Sequence, residues 1–416
     1  MTDTGTSAPR RTNGSLRIGL FSYPRLVHGG GFEEYLIALA VSLTARGHDI
    51  RLVNASPRGY RALNVALNVY YRNPLLSDNS RATTADIRAR LGDVELFELP
   101  VRKMAACLRS CDVIYSKNEL LDLSVLWMLR TQRLPPIVCG VHTPVWYARA
   151  ITPQARLHNR LYLGRVYRML LSGVAAVHVS NSYDASLFPR VHGWSSDRVF
   201  RIRHPFAPHV RELARRVSSE GAFRVLWAGR MTEQKGVHTL LDILRAVNGS
   251  SAARDYTFVI AGSGDPHIEQ EVRAIADRYP NVRYLGHVPH DDMPQLYDTA
   301  DAALVTSNWE TGPYSGLEAQ AHGLPVVASD IPGCADIVEH GATGFLFRPG
   351  DVAEAVGALT RVNELRTRSP DELHAMREAA LRQLRERHDP DRITEALERM
   401  LHTVASNRRK VHDVDR

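Results

Sequence analysis

Two carboxylates, Glu310 and Glu318, bracket the run Thr-Gly-Pro-Tyr-Ser-Gly-Leu. The apolar residues 302–306 predict a buried strand, Gly312-Pro313 a turn, and the stretch from Ser315 a short helix that stops at Gly323. Glu310 then lies on a loop and Glu318 in the first turns of a helix, with the helix's unpaired N-terminal amides between them. Such amides favour a phosphate or diphosphate. A carboxylate repels phosphate, so the two acids suit hydroxyl groups on either side of it. Hydroxyl, diphosphate, hydroxyl is the layout of a nucleotide sugar.

A second candidate group precedes it in the chain. Arg230 and Lys235 stand in Gly-Arg-Met-Thr-Glu-Gln-Lys-Gly, between a predicted strand at 223–228 and a predicted helix at 237–247. A guanidinium fork and an ammonium at a strand end can neutralise a diphosphate; the plainer reading is two solvated cations near a helix start. Ala-Gly-Ser-Gly at 261–264 repeats the strand and glycine-turn pattern and adds Gly264. In the first half, Gly29-Gly30-Gly31 links a strand to a helix without the third glycine of a dinucleotide fingerprint, since Glu34 occupies that position. The turn reads equally as a ligand-facing loop, through Gly30 and Gly31, or as a plain connection. His142 closes the predicted strand 137–142, where open α/β sheets gather ligands, and a capping or core histidine is the alternative.

The elements that must position these residues alternate. Strands at 16–22, 50–54, 112–116, 137–142, 174–180 and 199–203 are separated by helical patterns, and a second alternating set starts at 223. The expected fold is α/β, with two Rossmann-like doubly wound parallel-sheet domains facing a cleft. The expected divisions are a disordered tail at 1–15, a first domain at 16–204, a linker at 205–221, a second domain at 222–389, and a helix at 390–416 packing back on the first domain. A chain of 416 residues is long enough for two such cores.

With 44% hydrophobic and 23% charged residues the composition is that of a soluble globular protein. Four cysteines without a Cys-x-x-Cys pair predict reduced thiols and a cytoplasmic setting. No apolar run approaches the roughly 20 residues of a membrane span. A net charge of +7 points to an anionic ligand, a membrane surface or nucleic acid. Arg149, Arg156, Arg160, Arg165 and Arg168 interleave with Leu161, Tyr162, Val166 and Tyr167. That pattern fits either an amphipathic helix on an anionic membrane or a helix with its apolar face on the core.

Together these segments resemble family 4 of the retaining glycosyltransferases, with the two-domain architecture termed GT-B. The resemblance runs from about residue 16 to 351. It rests on Gly-Arg-x4-Lys-Gly at 229–236, Ala-Gly-x-Gly at 261–264, Tyr-Leu-Gly-His-Val at 284–288 and Glu-x7-Glu at 310 and 318, continued by Glu-Ala-x-Ala-x-Gly-x-Pro-Val-Val-Ala-Ser and 341–347. It implies that Glu310 binds donor-sugar hydroxyls and Glu318 the ribose. Arg230 and Lys235 then bind the diphosphate, with backbone amides from Tyr314, Ser315 and Gly316. Gly30 and Gly31 match the N-domain turn over the phosphates, and His142 a histidine near the reacting sugar. Three positions depart from the family pattern: Pro313 where glycine is frequent, His204-Pro205 where Asn-Gly is frequent, and Ser116 where histidine is common.

The activity implied is retaining transfer of a hexose or amino-hexose from a UDP- or GDP-linked sugar to a hydroxyl of a small acceptor, such as an aminocyclitol scaffold. No tightly bound cofactor, no obligatory metal and no nucleic acid is expected, and weak contact with the inner membrane face is compatible with the charge. The rival readings are a nucleotide-sugar epimerase of the same fold, a peripheral-membrane transferase with a lipid-linked acceptor, and a non-catalytic basic binding protein.

Overall fold

The computed structural model describes residues 14–23, 26, 31–56, 84–142, 145–146, 153–206 and 221–414. The expected N-terminal tail, the stretch 57–80 and nearly all of the linker lie outside these residues. The first half runs β1 (Arg17–Phe21), α1 (Gly31–Ala45), β2 (Asp49–Ala55), α2 (Thr84–Leu91), β3 (Glu95–Leu99), α3 (Val101–Arg109), β4 (Val113–Lys117), α4 (Leu120–Leu129), β5 (Ile137–Val141), α5 (Pro153–Tyr162), α6 (Arg165–Leu171), β6 (Ala176–Val179), α7 (Ser182–His192) and β7 (Val199–Arg201). The second runs β8 (Phe223–Ala228), α8 (Val237–Asn248), β9 (Tyr256–Ala261), α9 (Pro266–Arg278), β10 (Val282–Gly286), α10 (Met293–Thr299), β11 (Ala302–Val305), α11 (Tyr314–Ala321), β12 (Val326–Ser329), α12 (Pro332–Ala335), β13 (Gly344–Phe347), α13 (Val352–Arg368), α14 (Pro370–Arg387) and α15 (Pro390–Val414).

Each half forms one parallel sheet. The orders are β3-β2-β1-β4-β5-β6-β7 and β10-β9-β8-β11-β12-β13, so both halves reverse direction beside their own first strand. The reversals fall between β1 and β4 and between β8 and β11, the crevices where doubly wound sheets take ligands. Strands β4, β5, β6, β11 and β12 are buried along their whole length, which explains why they read as continuous apolar runs rather than alternating ones. Helices cover both faces of each sheet, giving two apolar clusters per half.

The arginine-rich segment is not one helix. It breaks into α5 and α6 at Gly164, where a Cβ would lie 2.5 Å from the Arg160 carbonyl. Helix α15 returns to the first half, where Leu397, Met400 and Leu401 join the cluster of Ile18, Leu36 and Leu43. Arg46 Nε donates to Glu398 at 2.8 Å, and His48 Nε2 reaches the other Glu398 oxygen at 3.1 Å. His48, Glu398 and His402 stand close enough to hold an ion. However, His48 Nδ1 accepts the Leu16 amide at 3.1 Å, so its proton sits on Nε2, and the trio ties a helix down rather than offering a lone pair to a metal. Among the described residues no helix is long and apolar enough to cross a membrane.

Candidate active site

The second crevice is built by two loops that lock together. After β8, Glu233–Lys235 makes a turn of 3-10 helix, and Gly236 leaves it at φ 64°. A Cβ at Gly236 would run into the Thr306 carbonyl at the end of β11. Only glycine lets the two loops touch there. The Thr306 hydroxyl donates to the Lys235 carbonyl at 2.9 Å and accepts from Trp227 Nε1 at 2.9 Å. Asn308 closes the other side, its amide donating to Gln234 O and its side chain to Glu233 O.

This lacing brings Lys235 and Glu310 together. Lys235 Nζ lies 2.5 Å from Glu310 Oε1, which also accepts the Ser307 hydroxyl at 2.8 Å. Glu310 is 5% exposed, so its charge is balanced almost wholly within the protein. Gly333 lies beneath it, where any Cβ would meet the Glu310 backbone at 2.6 Å.

Beyond Pro313, α11 presents its N-terminus to the same crevice. Tyr314 and Ser315 are its first residues, and no carbonyl one turn back within the helix takes their amides. The amide of Gly316 does not share that role: with that of Leu317 it donates to the Pro313 carbonyl, at 3.0 and 3.1 Å. A Cβ at Gly316 would lie 2.7 Å from Ile337 Cδ1 and would push that side chain aside. Ser315 and Glu318 line a cavity of about 250 Å³ with Arg230, Gly262, His287 and Tyr297. Arg230 Nη2 donates to Gln234 at 3.2 Å, and the Tyr297 hydroxyl donates to Glu318 Oε2 at 2.7 Å. Burial and the Glu318 charge push the Tyr297 hydroxyl well above its ordinary pKa, so it remains a donor. The Gly264 amide is taken by Glu269 at 2.7 Å, so Gly264 shapes the floor next to Met231 instead of facing the cavity with its N–H.

In the first half, Gly30 lies outside the described residues and Gly31 opens α1. His142 follows β5 and meets a buried polar chain. His178 Nε2 donates to the Ile202 carbonyl at 2.7 Å, which leaves Nδ1 to accept the Tyr115 hydroxyl at 2.6 Å. Tyr115 oxygen then accepts from His142 Nε2 at 2.8 Å, which leaves the His142 Nδ1 lone pair unprotonated. Burial, with His204, His178 and Lys117 nearby, drives the His142 pKa well below the ordinary value, so it is a neutral imidazole. Glycine at 140 makes room for the pairing, because a Cβ there would lie 2.6 Å from His142 Nε2. At the end of β4, Lys117 is 3% exposed and pairs with Glu119 at 3.3 Å.

The two halves meet around the Glu310 loop. Ser180 Oγ donates to the Thr311 carbonyl at 3.0 Å, and His204 approaches both the Thr311 hydroxyl and the Tyr314 ring. Asp336 accepts the amide and hydroxyl of Ser182 at 2.8 and 2.9 Å and Arg201 Nη2 at 3.0 Å. It thus caps the N-terminus of α7 from the opposite half. Tyr297, Tyr115, His178, Thr311 and Lys117 escape sequence reasoning because each sits in an ordinary apolar or loop context and acquires a partner only through the tertiary fold.

Two Rossmann-like parallel-sheet domains, with a cavity at the switch point of the second, constitute the GT-B architecture. The comparisons agree. The sequence model described as "Glycosyl transferases group 1" matches residues 222–364. A glycogen synthase of Xanthomonas campestris pv. campestris is 32% identical over 248 residues, covering 57% of this chain and 49% of that protein. The amylovoran biosynthesis glycosyltransferase AmsK of Erwinia amylovora is 26% identical over 178 residues, covering 41% and 44%. The chain therefore spans less than half the length of these curated relatives. Among solved structures, Anabaena HepE in complex with UDP and glucose superposes with a TM-score of 0.67 at 19% identity, over 93% of this chain and 100% of that one. Sucrose-phosphate synthase from Thermosynechococcus elongatus gives 0.70 at 18%, over 94% and 99%. At these identities the likeness is one of fold.

Proposed function

We propose that the protein is a retaining glycosyltransferase that moves a hexose or amino-hexose from a nucleoside diphosphate sugar to an acceptor hydroxyl. One observation carries the reading: Arg230, the α11 N-terminus and Glu318 converge on one cavity, beside which Lys235 and Glu310 form a nearly buried pair. About 250 Å³ suits the nucleoside end of such a donor. Glu318 accepts ribose hydroxyls there, and the amides of Tyr314 and Ser315 take the diphosphate. As the diphosphate arrives, Lys235 turns toward it, and Glu310 is released to accept hydroxyls of the transferred sugar.

In this scheme the departing diphosphate oxygen gathers charge as the anomeric bond breaks, and Arg230 with Lys235 stabilises it. The same oxygen takes the acceptor's proton on the face from which it left, which gives retention. His142, a neutral imidazole, stands near the reacting sugar across the cleft. UDP as the nucleotide is supported by the HepE structures, which are complexes with UDP, with UDP and glucose, and with UDP-glucose. A mass-spectrometric screen of UDP- and GDP-sugars against the wild type, Lys235→Ala and Glu310→Ala tests the reading. Sugar transfer that survives undiminished in both variants refutes it.

A further inference from the structure

The whole net charge of the protein resides in one segment. Residues 123–183 contain seven arginines and no carboxylate. Setting those seven aside leaves 45 basic side chains against 45 acidic ones, so the remainder of the chain is neutral and the net +7 is this segment's. Arg149 lies outside the described residues. The other six, Arg130, Arg133, Arg156, Arg160, Arg165 and Arg168, are exposed, and among the described residues none forms an ion pair. Five exposed arginines elsewhere, Arg245, Arg273, Arg348, Arg361 and Arg399, each pair with an acid three to six residues away along the chain, a partner that the acid-free segment 123–183 cannot offer.

Unpaired cations are half of the pattern, and apolar exposure is the other half. Of the six large apolar side chains that are exposed among the described residues, four lie on the helices that carry or adjoin these arginines: Met128 on α4, Leu157 on α5, and Val166 and Met169 on α6. Helix α6 packs against both α4 and α5, so these exposed side chains lie on three neighbouring helices. On α6 the order Arg165-Val166 and Arg168-Met169 sets a cation beside an aliphatic chain at each step of one exposed side.

We infer that the α4–α6 face is a docking surface for an anionic lipid bilayer. Guanidinium groups meet the headgroup phosphates, while the aliphatic chains enter the acyl boundary. Nucleic acid would match the charge but not the aliphatic chains, which cannot stack on bases as aromatic rings do. The inference goes beyond donor chemistry and stands on a different surface; vesicle binding is read without any nucleotide sugar, so its failure and that of the proposed activity are separable.

Flotation of the full chain with vesicles of phosphatidylglycerol and phosphatidylcholine, against phosphatidylcholine alone, tests it. Binding is expected on the anionic vesicles only, falling steeply with salt. The variant R156Q/R160Q/R165Q/R168Q is expected to lose affinity by roughly fivefold per arginine, at least a hundredfold together. V166S/M169S is expected to lose it severalfold at unchanged charge, and R130Q/R133Q supplies an independent pair in the turn that follows α4. Thermal melts confirm that the variants fold. Equal binding to both vesicle types, no binding to either, or full retention in the quadruple variant overturns the inference. So does displacement from vesicles by single-stranded RNA whose own binding is unmoved by V166S/M169S, which identifies a nucleic-acid surface instead.

Discussion

Replacing Lys235 by methionine keeps all but the last atom's length of the side chain and removes its charge, stranding Glu310 with the Ser307 hydroxyl. Removing one partner of a fully buried ion pair costs about 3–5 kcal/mol. The side chains of Lys235 and Glu310 are 18% and 7% exposed, so some water reaches the pair and the lower end, about 3 kcal/mol, is expected. In a unit of this size that lowers the melting temperature by about 6–12 °C. Glu310→Gln is milder, at about 1 kcal/mol, because the lysine left behind is the more exposed member and can turn toward solvent. The double variant is expected to cost about 2 kcal/mol instead of the roughly 4 of independent sites, a coupling of about 2 kcal/mol in a double-mutant cycle followed by urea denaturation. Function is expected to divide differently: affinity for UDP alone falls in Lys235→Met and holds in Glu310→Gln, while sugar transfer is lost in both and in the double variant. Equal stability costs for the two single variants, or no coupling between them, would refute the buried pair as described. Transfer regained by the double variant would refute the division of labour.

Tyr297→Phe removes the one hydroxyl donated to Glu318 Oε2 and keeps the ring. Calorimetric titration with UDP is expected to show a three- to tenfold loss of affinity with a stability change within about 1 kcal/mol, and an unchanged titration would separate Tyr297 from the ribose contact. Acid stability follows from the buried imidazoles. Burial lowers His178 to about 4 and His204 to about 3, below the ordinary 6.5. Their contribution to stability is therefore full above about pH 6.5 and is lost as pH falls from there toward about 4, since in that window the unfolded chain binds protons that the folded chain refuses. Asp184, raised to about 6 by burial, acts in the opposite sense, losing its contribution as pH rises through 6, and cancels one proton of the total. Melting temperatures measured from pH 7.5 to 4 are expected to fall on acidification, and a flat profile would show that these histidines take up protons in the folded state.

Much of the frame was legible because parallel strands buried on both faces write apolar runs of five or so residues, whereas the partly exposed edge strand Glu95–Leu99 carries no such run and escaped the reading. Glu310, Glu318, Arg230 and Lys235 could be singled out for a related reason: they sit where a strand ends and a helix begins, and the flanking glycines mark that junction. What the sequence could not reveal was which of these groups meet each other. Lys235 was expected on a diphosphate and is found on Glu310, a pairing set by Gly236 touching Thr306 across the sheet. Gly316 was expected to lend its amide to a ligand, yet Pro313, having no amide itself, still offers a carbonyl that captures it. The arginine run was legible as amphipathic, but its division at Gly164 depends on one steric contact with a carbonyl of the preceding turn.

His204, flagged only as a departure at the hinge, explains how the two halves share one site. Its carbonyl accepts His388 Nδ1 at 2.9 Å, and its ring lies between His142 and Tyr314, with centroids 5.3 and 5.8 Å away. The residue after Glu310 is thereby held from the opposite half through Ser180, and the helix that carries Glu318 is held through Tyr314. The Lys235 and Glu310 pair, the Tyr297 and Glu318 bond and the Gly236 contact all lie within the second sheet's own domain. Separating the halves breaks the bonds from Ser180, Ser182 and Arg201 but none of these. Under the proposed activity, the groups assigned to the donor would be set before the halves meet, with closure adding His142 and the brace on Thr311, an order in which a nucleotide sugar would bind one domain first.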